Sequence, residues 1–531
     1  MRCTFVAMGW ENISLQALSA VLKANGHECA LAYDQALFDD KNYLCIPLLA
    51  RIFDMRERVV EEVVASKPDL VAFSVLATTY RWALDMAGRI KERIDVPIVF
   101  GGIHPSSIPE RCIREDAVDI VCIGEGEEAL LELCSSIERG EIDHAIKNLW
   151  FKTPGGEIIR NPRRPQIQNL DALPFPDKEL FAPHVPLQNC YLAVVARGCP
   201  FACSYCSLSF EAQEWKKVGG RRFRLRSVDS VIRELKLNKE RYNYKWVDFR
   251  HSVMADSTEW ILEFCRRYKE EINLPFRIFW HPLLVTDEAA AALKEAGCSV
   301  VQVGLESYDE GIRSEILNRR MTNEQVERAV EILERHGLRY SLDYILGLPG
   351  QTEEELVRFA EFFAGLENCY RVSSFMLQYL PKTDIIRHGL ENECLTERDV
   401  ERLEEGYHDN YMVDGSVALD GERLRMMNSF RVLYRLMGLL PPRGRRLLVK
   451  AKAQRLFRYL PPRPIILMLD ILMALRDLDG RTYIRNYLWW IGRRFDRSNS
   501  AYILGGSRKA GRAFGTANPR GDGVEQPLKN L

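Results

Sequence analysis

Apolar residues follow two patterns along this chain: short unbroken runs, and longer stretches in which they recur every three or four positions. Thr4 to Met8 is an unbroken run and reads as a buried strand. A helical pattern follows through Leu15, Leu18, Val21 and Leu22 and stops at Asn25-Gly26. Asp69 to Val75 is a second strand after Lys67-Pro68, Pro97 to Phe100 a third ending on Gly101-Gly102, and Asp119 to Ile123 a fourth ending on Gly124. Strands alternating with helices predict a parallel, doubly wound α/β sheet. Its glycines fall at the carboxyl ends of strands, where such sheets bind ligands.

From 151 to 190 the pattern loosens into Pro154-Gly155-Gly156, Pro162, Pro165, Pro174, Pro176, Pro183 and Pro186, which reads as a linker. A second series begins at Tyr191. Strands are expected at Tyr191–Ala196, Lys245–Phe249, Phe276–Trp280, Ser299–Gly304, Arg339–Ile345 and Arg371–Leu377. Helical stretches such as Glu324 to His336 separate them. Six such units suggest a partial (β/α)6 barrel with chemistry at the strand carboxyl ends. The organisation expected is a doubly wound domain over 1–150, a linker over 151–190, a barrel over 191–390, a basic helical region over 391–500 and a disordered tail over 501–531.

Composition changes this picture little: 47% hydrophobic and 28% charged residues are ordinary for a globular chain. A formal net charge of −1 gives no overall field to attract nucleic acid. The cysteines matter more, because there are 14 of them. The opening Met1–Trp10 is too short for a signal-peptide core, and no apolar run is long enough to span a bilayer. A reducing cytoplasm is therefore expected, with thiols free for metal or catalysis.

The chemistry concentrates after the first barrel strand, in Arg197-Gly198-Cys199-Pro200-Phe201-Ala202-Cys203-Ser204-Tyr205-Cys206. Three cysteines at x3 and x2 spacing can ligate three irons of a cubane and leave the fourth open to a chelating ligand. An electron-transfer cluster would need a fourth cysteine, and the nearest, Cys190, precedes the strand. Structural zinc would need four ligands, and no second pair stands at ligand spacing. The C-x3-C-x2-C loop at the first strand of a βα barrel resembles the radical S-adenosylmethionine (SAM) superfamily.

That resemblance implies a [4Fe–4S] cluster on Cys199, Cys203 and Cys206. SAM would chelate its open iron and be cleaved to a 5′-deoxyadenosyl radical. It also implies that Tyr205 contacts the adenine, that Glu306 in Gly304-Leu305-Glu306-Ser307 lies near SAM, and that Arg319 pairs with the SAM carboxylate. For Arg319 a solvated helix arginine is the alternative. Leu346-Gly347-Leu348-Pro349-Gly350-Gln351 resembles the family's glycine-rich turn under SAM, placing Gly347 and Gly350 there. Where relatives carry paired aspartates, this chain has Asp248-Phe249-Arg250-His251. The histidine could carry a proton near neutral pH or be structural.

The first domain resembles cobalamin-binding domains. Ser74-Val75-Leu76 and Gly101-Gly102 match the elements that line the slot for cobalamin's nucleotide tail, implying contacts from Ser74, Leu76, Gly101 and Gly102. The family's D-x-H-x-x-G element is missing, so the implied cobalamin is base-off without histidine on cobalt; His104 is expected to be structural.

Residues 421–500 carry 18 Lys/Arg against 5 Asp/Glu. These helices are expected to cap the barrel or to touch a membrane peripherally at its inner face, not to bind nucleic acid. The resemblance implies methyl transfer to an unactivated carbon or phosphorus of a small or lipid-like metabolite. Electrons would come from an external donor of the flavodoxin or ferredoxin type. A radical cyclase or oxidoreductase, like the anaerobic magnesium-protoporphyrin ester cyclases, and a non-catalytic cobalamin or redox sensor are the alternatives. A methylthiotransferase acting on tRNA is disfavoured, because extra N-terminal cysteines and a nucleic-acid-binding tail domain are not visible.

Overall fold

The computed structural model describes residues 1–40, 44–407 and 419–495. The tail expected to be disordered lies outside the described residues. The first sheet contains β1 Arg2–Met8, β2 Glu28–Asp34, β3 Leu70–Ser74, β4 Ile98–Gly101, β5 Ile120–Cys122, β6 Leu149–Lys152 and β7 Ile158–Arg160. Their order is β2-β1-β3-β4-β5-β6-β7, with β1 to β5 parallel and the last two antiparallel. Side chains alternate between two cores. Phe5, Ala72 and Val99 pack with Leu15, Leu22 and Leu130 on one face, and Val6, Phe73 and Phe100 with Val59, Ala83 and Met86 on the other. Both faces are buried, which is why the strands read as unbroken apolar runs.

Two features depart from expectation. Strand β2, the apolar run Cys29–Tyr33 between Glu28 and Asp34, is not among the expected strands; it is the sheet's edge, and its first four residues are only partly covered. Strand β7 lies inside the expected linker and, with β6, extends the sheet as an antiparallel ribbon. Antiparallel pairs need only short strands and a tight turn, here Thr153–Gly156, so their hydrophobic signal is weak.

The second sheet is the partial barrel: β8 Tyr191–Ala193, β11 Val247–Phe249, β12 Phe276–Trp280, β13 Cys298–Glu306, β14 Tyr340–Leu346 and β15 Cys369–Met376. All neighbours are parallel, in the order β15-β14-β13-β12-β11-β8. A separate ribbon pairs β9 Ala196–Gly198 with β10 Phe223–Leu225. Ile278, Trp280, Val301, Val303, Leu342 and Tyr344 face the helices and form the main core. The alternate residues (Asp248, Arg277, Gln302, Ser341 and Asp343) face the barrel interior, which is therefore polar.

The C-terminal helices close this barrel. Helix Gly421–Gly438 lies along β15, where Arg435 donates to the Ser374 hydroxyl at 2.7 Å. Helix Leu478–Phe495 crosses back to the first sheet, with Trp490 Nε1 donating to the His184 carbonyl at 2.8 Å. No helix among the described residues is long and apolar enough to cross a membrane.

Candidate functional site

The three cysteines sit between β9 and the helix Ser207–Lys217, with Cys206 as the residue before its first turn. Gly198 starts the loop at φ +83°, and a Cβ there would fall 2.1 Å from the Arg222 carbonyl oxygen, so only glycine fits. The loop backbone is held from several sides. Cys199 N–H donates to Arg222 O at 3.1 Å and Ser204 N–H to Leu317 O at 3.0 Å. Arg222 donates to Phe201 O at 2.6 Å and Asn318 to Ala202 O at 2.8 Å. Burial pushes the Cys206 thiol up to about 11, and the neighbouring Cys203 and Cys199 add to the effect. These neighbouring thiols are the donor set that a cluster takes as thiolates. Cys190 lies near Asp248, Arg277 and Asp479, toward the barrel's amino end.

Arg319 is not a solvated helix arginine. It is buried on the loop after the π-turn Ile312–Ile316, donates to Cys203 Sγ at 3.2 Å and to the Gly304 carbonyl, and keeps its Nε buried with no protein acceptor. A buried guanidinium with an unfilled donor is fitted to a carboxylate ligand. Glu306 closes β13 at φ +71°, and a Cβ on Gly304 would lie 2.8 Å from its Oε1. Burial raises the Glu306 carboxyl, while Arg319 and the adjoining Tyr205 phenol oppose the rise. Tyr205, Glu306 and Arg319 thus meet beside Cys203. Gly347 and Gly350 adopt φ +82° and +75°. Their turn is closed by Gln351, whose Oε1 accepts from Gly347 N–H at 2.8 Å and whose Nε2 donates to Ile345 O at 3.1 Å.

Sequence reasoning missed several groups here. His281 follows β12 directly, stacks on Phe201 of the cysteine loop at 3.6 Å, and buries Nε2 without a partner. Burial drives its pKa down to about 2, so the ring is neutral. Its place at a strand's carboxyl end was the available signal. Inside the barrel, Gln302 donates to both Asp343 oxygens at 2.8 Å. Burial, then Glu306, raises Asp343 to about 7.

Asp248 and Arg250 belong to a different region, whereas His251 follows β11 next to Ser252, whose hydroxyl donates to Gly198 O at the start of the cysteine loop at 2.7 Å. Arg277 donates to Asp248 at 2.9 and 2.6 Å and to Asp479 at 2.6 Å, and Arg250 donates to Asp248 at 2.9 Å. His251 Nε2 lies 3.2 Å from the Met254 carbonyl, and burial lowers its pKa to about 4. A ring that is neutral throughout the physiological range fits the structural reading, not the proton carrier.

A cavity of about 380 Å³ joins the two sheets. Ser74, Gly101 and Gly102 line it from the first sheet, Val194 from just after β8, and Ala196 and Gly198 from the β9–β10 ribbon. Leu170, Leu173, Pro174 and Pro176 form another part of its wall, so the expected linker is part of the site. Gly102 has φ +103°, and a Cβ there would lie 2.8 Å from the Val75 backbone. The small residues at these strand ends fit the slot for a nucleotide tail. The Leu76 side chain is 47% exposed and lies outside the cavity lining. His104 is buried and packs on Tyr80 at 4.4 Å, also outside the lining.

A clamp ties the first sheet to the β9–β10 ribbon at this cavity. Glu125, in the turn after β5, accepts from Arg197 on β9 at 2.9 Å and from Arg224 on β10 at 2.7 and 3.2 Å. Arg197 also reaches Glu127. Burial works against the Glu125 charge, but the two guanidiniums hold its carboxyl below the usual range.

Comparison with known proteins agrees with this geometry. Residues 193–363 match the Radical SAM superfamily, and residues 4–134 match the B12 binding domain. The chain belongs to the cobalamin-binding radical SAM family. Its cofactors are accordingly a [4Fe–4S] cluster, SAM and cobalamin. Among relatives, an uncharacterized methyltransferase of Pyrococcus horikoshii is 29% identical over 62% of this chain and 71% of its own length. The anaerobic magnesium-protoporphyrin IX monomethyl ester cyclase of Rubrivivax gelatinosus is 26% identical over 66% of this chain, which spans only 61% of the cyclase. The cobalamin-dependent SAM radical enzyme OxsB, solved with aqua-cobalamin and SAM, shares the fold at a TM-score of 0.64 and 16% identity, over 92% of this chain and 75% of its own.

Proposed function

We propose that this chain is a cobalamin-dependent radical SAM methyltransferase that acts on an unactivated carbon, or phosphorus, of a small or lipid-like metabolite. The observation that carries the reading is the shared cavity: its lining runs from Gly101 and Gly102 to Gly198, the residue before Cys199. Relatives named as methyltransferases support it, including the bacteriochlorophyllide d C-12(1)-methyltransferase of Chlorobaculum tepidum and the cytidylyl-2-hydroxyethylphosphonate methyltransferase of Streptomyces wedmorensis.

Residues 1–150, with the strand that extends the sheet to Arg160, are assigned to cobalamin, 191–390 to cluster and SAM, and 391–500 to closure of the barrel. When bound, these groups supply reductive SAM cleavage, hydrogen abstraction and methyl carriage. Cys199, Cys203 and Cys206 would hold the cluster. Arg319 would direct its free Nε to the SAM carboxylate, Tyr205 and Glu306 would border SAM, and the Gly347–Gly350 turn would let backbone approach it. Ser74, Gly101 and Gly102 would admit the nucleotide tail. Leu170, Leu173, Pro174 and Pro176 would give the cavity an apolar wall that limits water around the bound groups. Reduction requires an external donor of the flavodoxin or ferredoxin type.

The cyclase or oxidoreductase reading is favoured by the cyclases of Rubrivivax gelatinosus and Cereibacter sphaeroides, and a sensor leaves the ordered cysteine loop unexplained. The test is anaerobic turnover with cobalamin, SAM and reductant, followed by mass spectrometry, with Cys203→Ala as control. Production of both 5′-deoxyadenosine and S-adenosylhomocysteine, lost in the variant, supports methyl transfer. 5′-Deoxyadenosine alone supports the cyclase, and neither product from fully loaded protein overturns both.

A further inference from the structure

From Arg423 to Leu469 the chain contains 10 Arg and 2 Lys and not one Asp or Glu. In a protein of net charge −1 this is a strong local asymmetry. Some of these cations are used internally. Arg445 donates to the Leu366 and Cys369 carbonyls, Arg435 pairs with Asp470, and Arg458 pairs with Glu353. Arg443, Arg446, Lys450, Lys452 and Arg455 are instead exposed.

The helix that follows, Pro462–Ala474, is apolar apart from Arg463 and Asp470. Ile466, Leu469 and Met473 are buried against the helix Gly421–Gly438, in a core that Phe457 also joins. The opposite face presents Leu467, Met468, Ile471 and Leu472, with Leu475 just beyond, each between 39% and 55% exposed. At 100° per residue these positions fill one continuous arc containing no charge; the helix's acid, Asp470, lies outside it and is paired. Leu447, Leu456 and Tyr459 add exposed apolar surface in the preceding segment, at 67%, 65% and 87%. Ten of the 17 exposed large hydrophobic side chains among the described residues fall between Leu447 and Leu488. Scattered exposed leucines need no explanation, but a concentration beside a purely basic segment does.

We propose that this surface docks on an anionic lipid membrane, with the helix Pro462–Ala474 lying in the interface plane. At 13 residues it is too short to span a bilayer, which needs about 20. An apolar arc on a helix that follows directly on an exposed cationic segment supplies the two elements that interfacial binding requires. A second copy of this chain fits poorly, since a two-fold contact would bring acid-free, cationic segments together. Residues 496–531 add six Lys/Arg against three Asp/Glu, which further favours an anionic partner. Nucleic acid would match the charge but leave the apolar arc unused. The proposal is independent of the reaction: docking needs neither SAM nor turnover.

The test is co-sedimentation of the full-length, cofactor-loaded protein with vesicles of phosphatidylglycerol and phosphatidylcholine, and with phosphatidylcholine alone. The parent protein is expected to bind the anionic vesicles and be released by salt. Lys450→Gln/Lys452→Gln/Arg455→Gln should weaken binding roughly a hundredfold, at about fivefold for each cation near an anionic surface. Leu467→Gln/Ile471→Gln should weaken it by about tenfold or more, as inserted apolar area is lost. These side chains face solvent, so circular dichroism and SAM cleavage should be unchanged. Three results would overturn the proposal: no binding to anionic vesicles at low salt, equal binding to phosphatidylcholine alone, or tighter binding to transfer RNA than to vesicles. Concentration-dependent dimerisation lost in the Leu467/Ile471 variant, without vesicle binding, would instead assign the face to a second copy.

Discussion

The two ends of the barrel are built from similar residues to opposite effect. At the amino end each buried carboxylate faces a guanidinium: Asp248 and Asp479 meet Arg277, and Asp477 meets Arg371 at 3.1 Å. At the carboxyl end Arg319 touches a thiol and a carbonyl and keeps Nε unfilled, while His281 stacks on the cysteine loop with Nε2 unfilled. Buried donors left open cost stability unless a ligand completes them. One end spends its charges on rigidity and the other holds them ready for ligands.

Substitutions should separate the two ends. Arg319→Ala is expected to raise the KM for SAM about 10- to 100-fold, the worth of a charge-assisted hydrogen bond, with iron content preserved. Saturation kinetics of 5′-deoxyadenosine formation would show it, and an unchanged KM would end the carboxylate assignment. Arg277→Met should cost about 3 kcal/mol of stability in denaturant unfolding, because it strips Asp248 and Asp479 of their shared partner, and should leave that KM alone.

Protonation gives a second, smaller contrast. Burial opposes the Asp479 charge, yet Arg277, Arg250 and Arg371 hold its pKa at about 2. Its contribution is complete above the unfolded value of about 4 and is lost as pH falls toward 2. Asp343, raised to about 7, has the opposite slope: its contribution is complete below about pH 4 and is lost as pH rises to 7. Asp343→Asn should therefore gain on the parent protein between pH 4 and 7, and Asp479→Asn should gain on it between pH 4 and 2, in thermal unfolding. The smallest effect separates two neighbouring elements of the cavity sequence. Gly102→Ala should reduce retained cobalamin by about tenfold through its clash with Val75, whereas Leu76→Ala should change neither cobalamin content nor stability beyond about 0.5 kcal/mol.

What could be read from the sequence follows from how local each signal is. The cysteine spacing, the glycines at strand ends and the apolar runs of buried parallel strands are each contained in a few neighbouring residues. Strand β2 was passed over although Cys29–Tyr33 is an unbroken apolar run, and β6 and β7 escaped because short antiparallel strands leave little pattern. Gln302 and Asp343 come together only when β13 and β14 pair, and His281 meets Phe201 only across the barrel mouth. For Leu76 a three-residue motif does not say that the side chain stands 47% exposed, outside the cavity lining. Arg319 had two readings, and burial removes the solvated one.

The Glu125 clamp sets a manufacturing tolerance for the molecule. The spacing between cobalamin slot and cysteine loop is gauged by one side chain gripped by Arg197 and Arg224, not by the length of chain connecting the two sheets. Residues added to a surface turn such as Thr153–Gly156 would leave that dimension untouched. Shortening the gauge itself by one methylene, as in Glu125→Asp, moves it by about 1.5 Å. At a site where a misplacement of about 1 Å can cost a hundredfold in rate, that is the difference between a part within specification and one outside it.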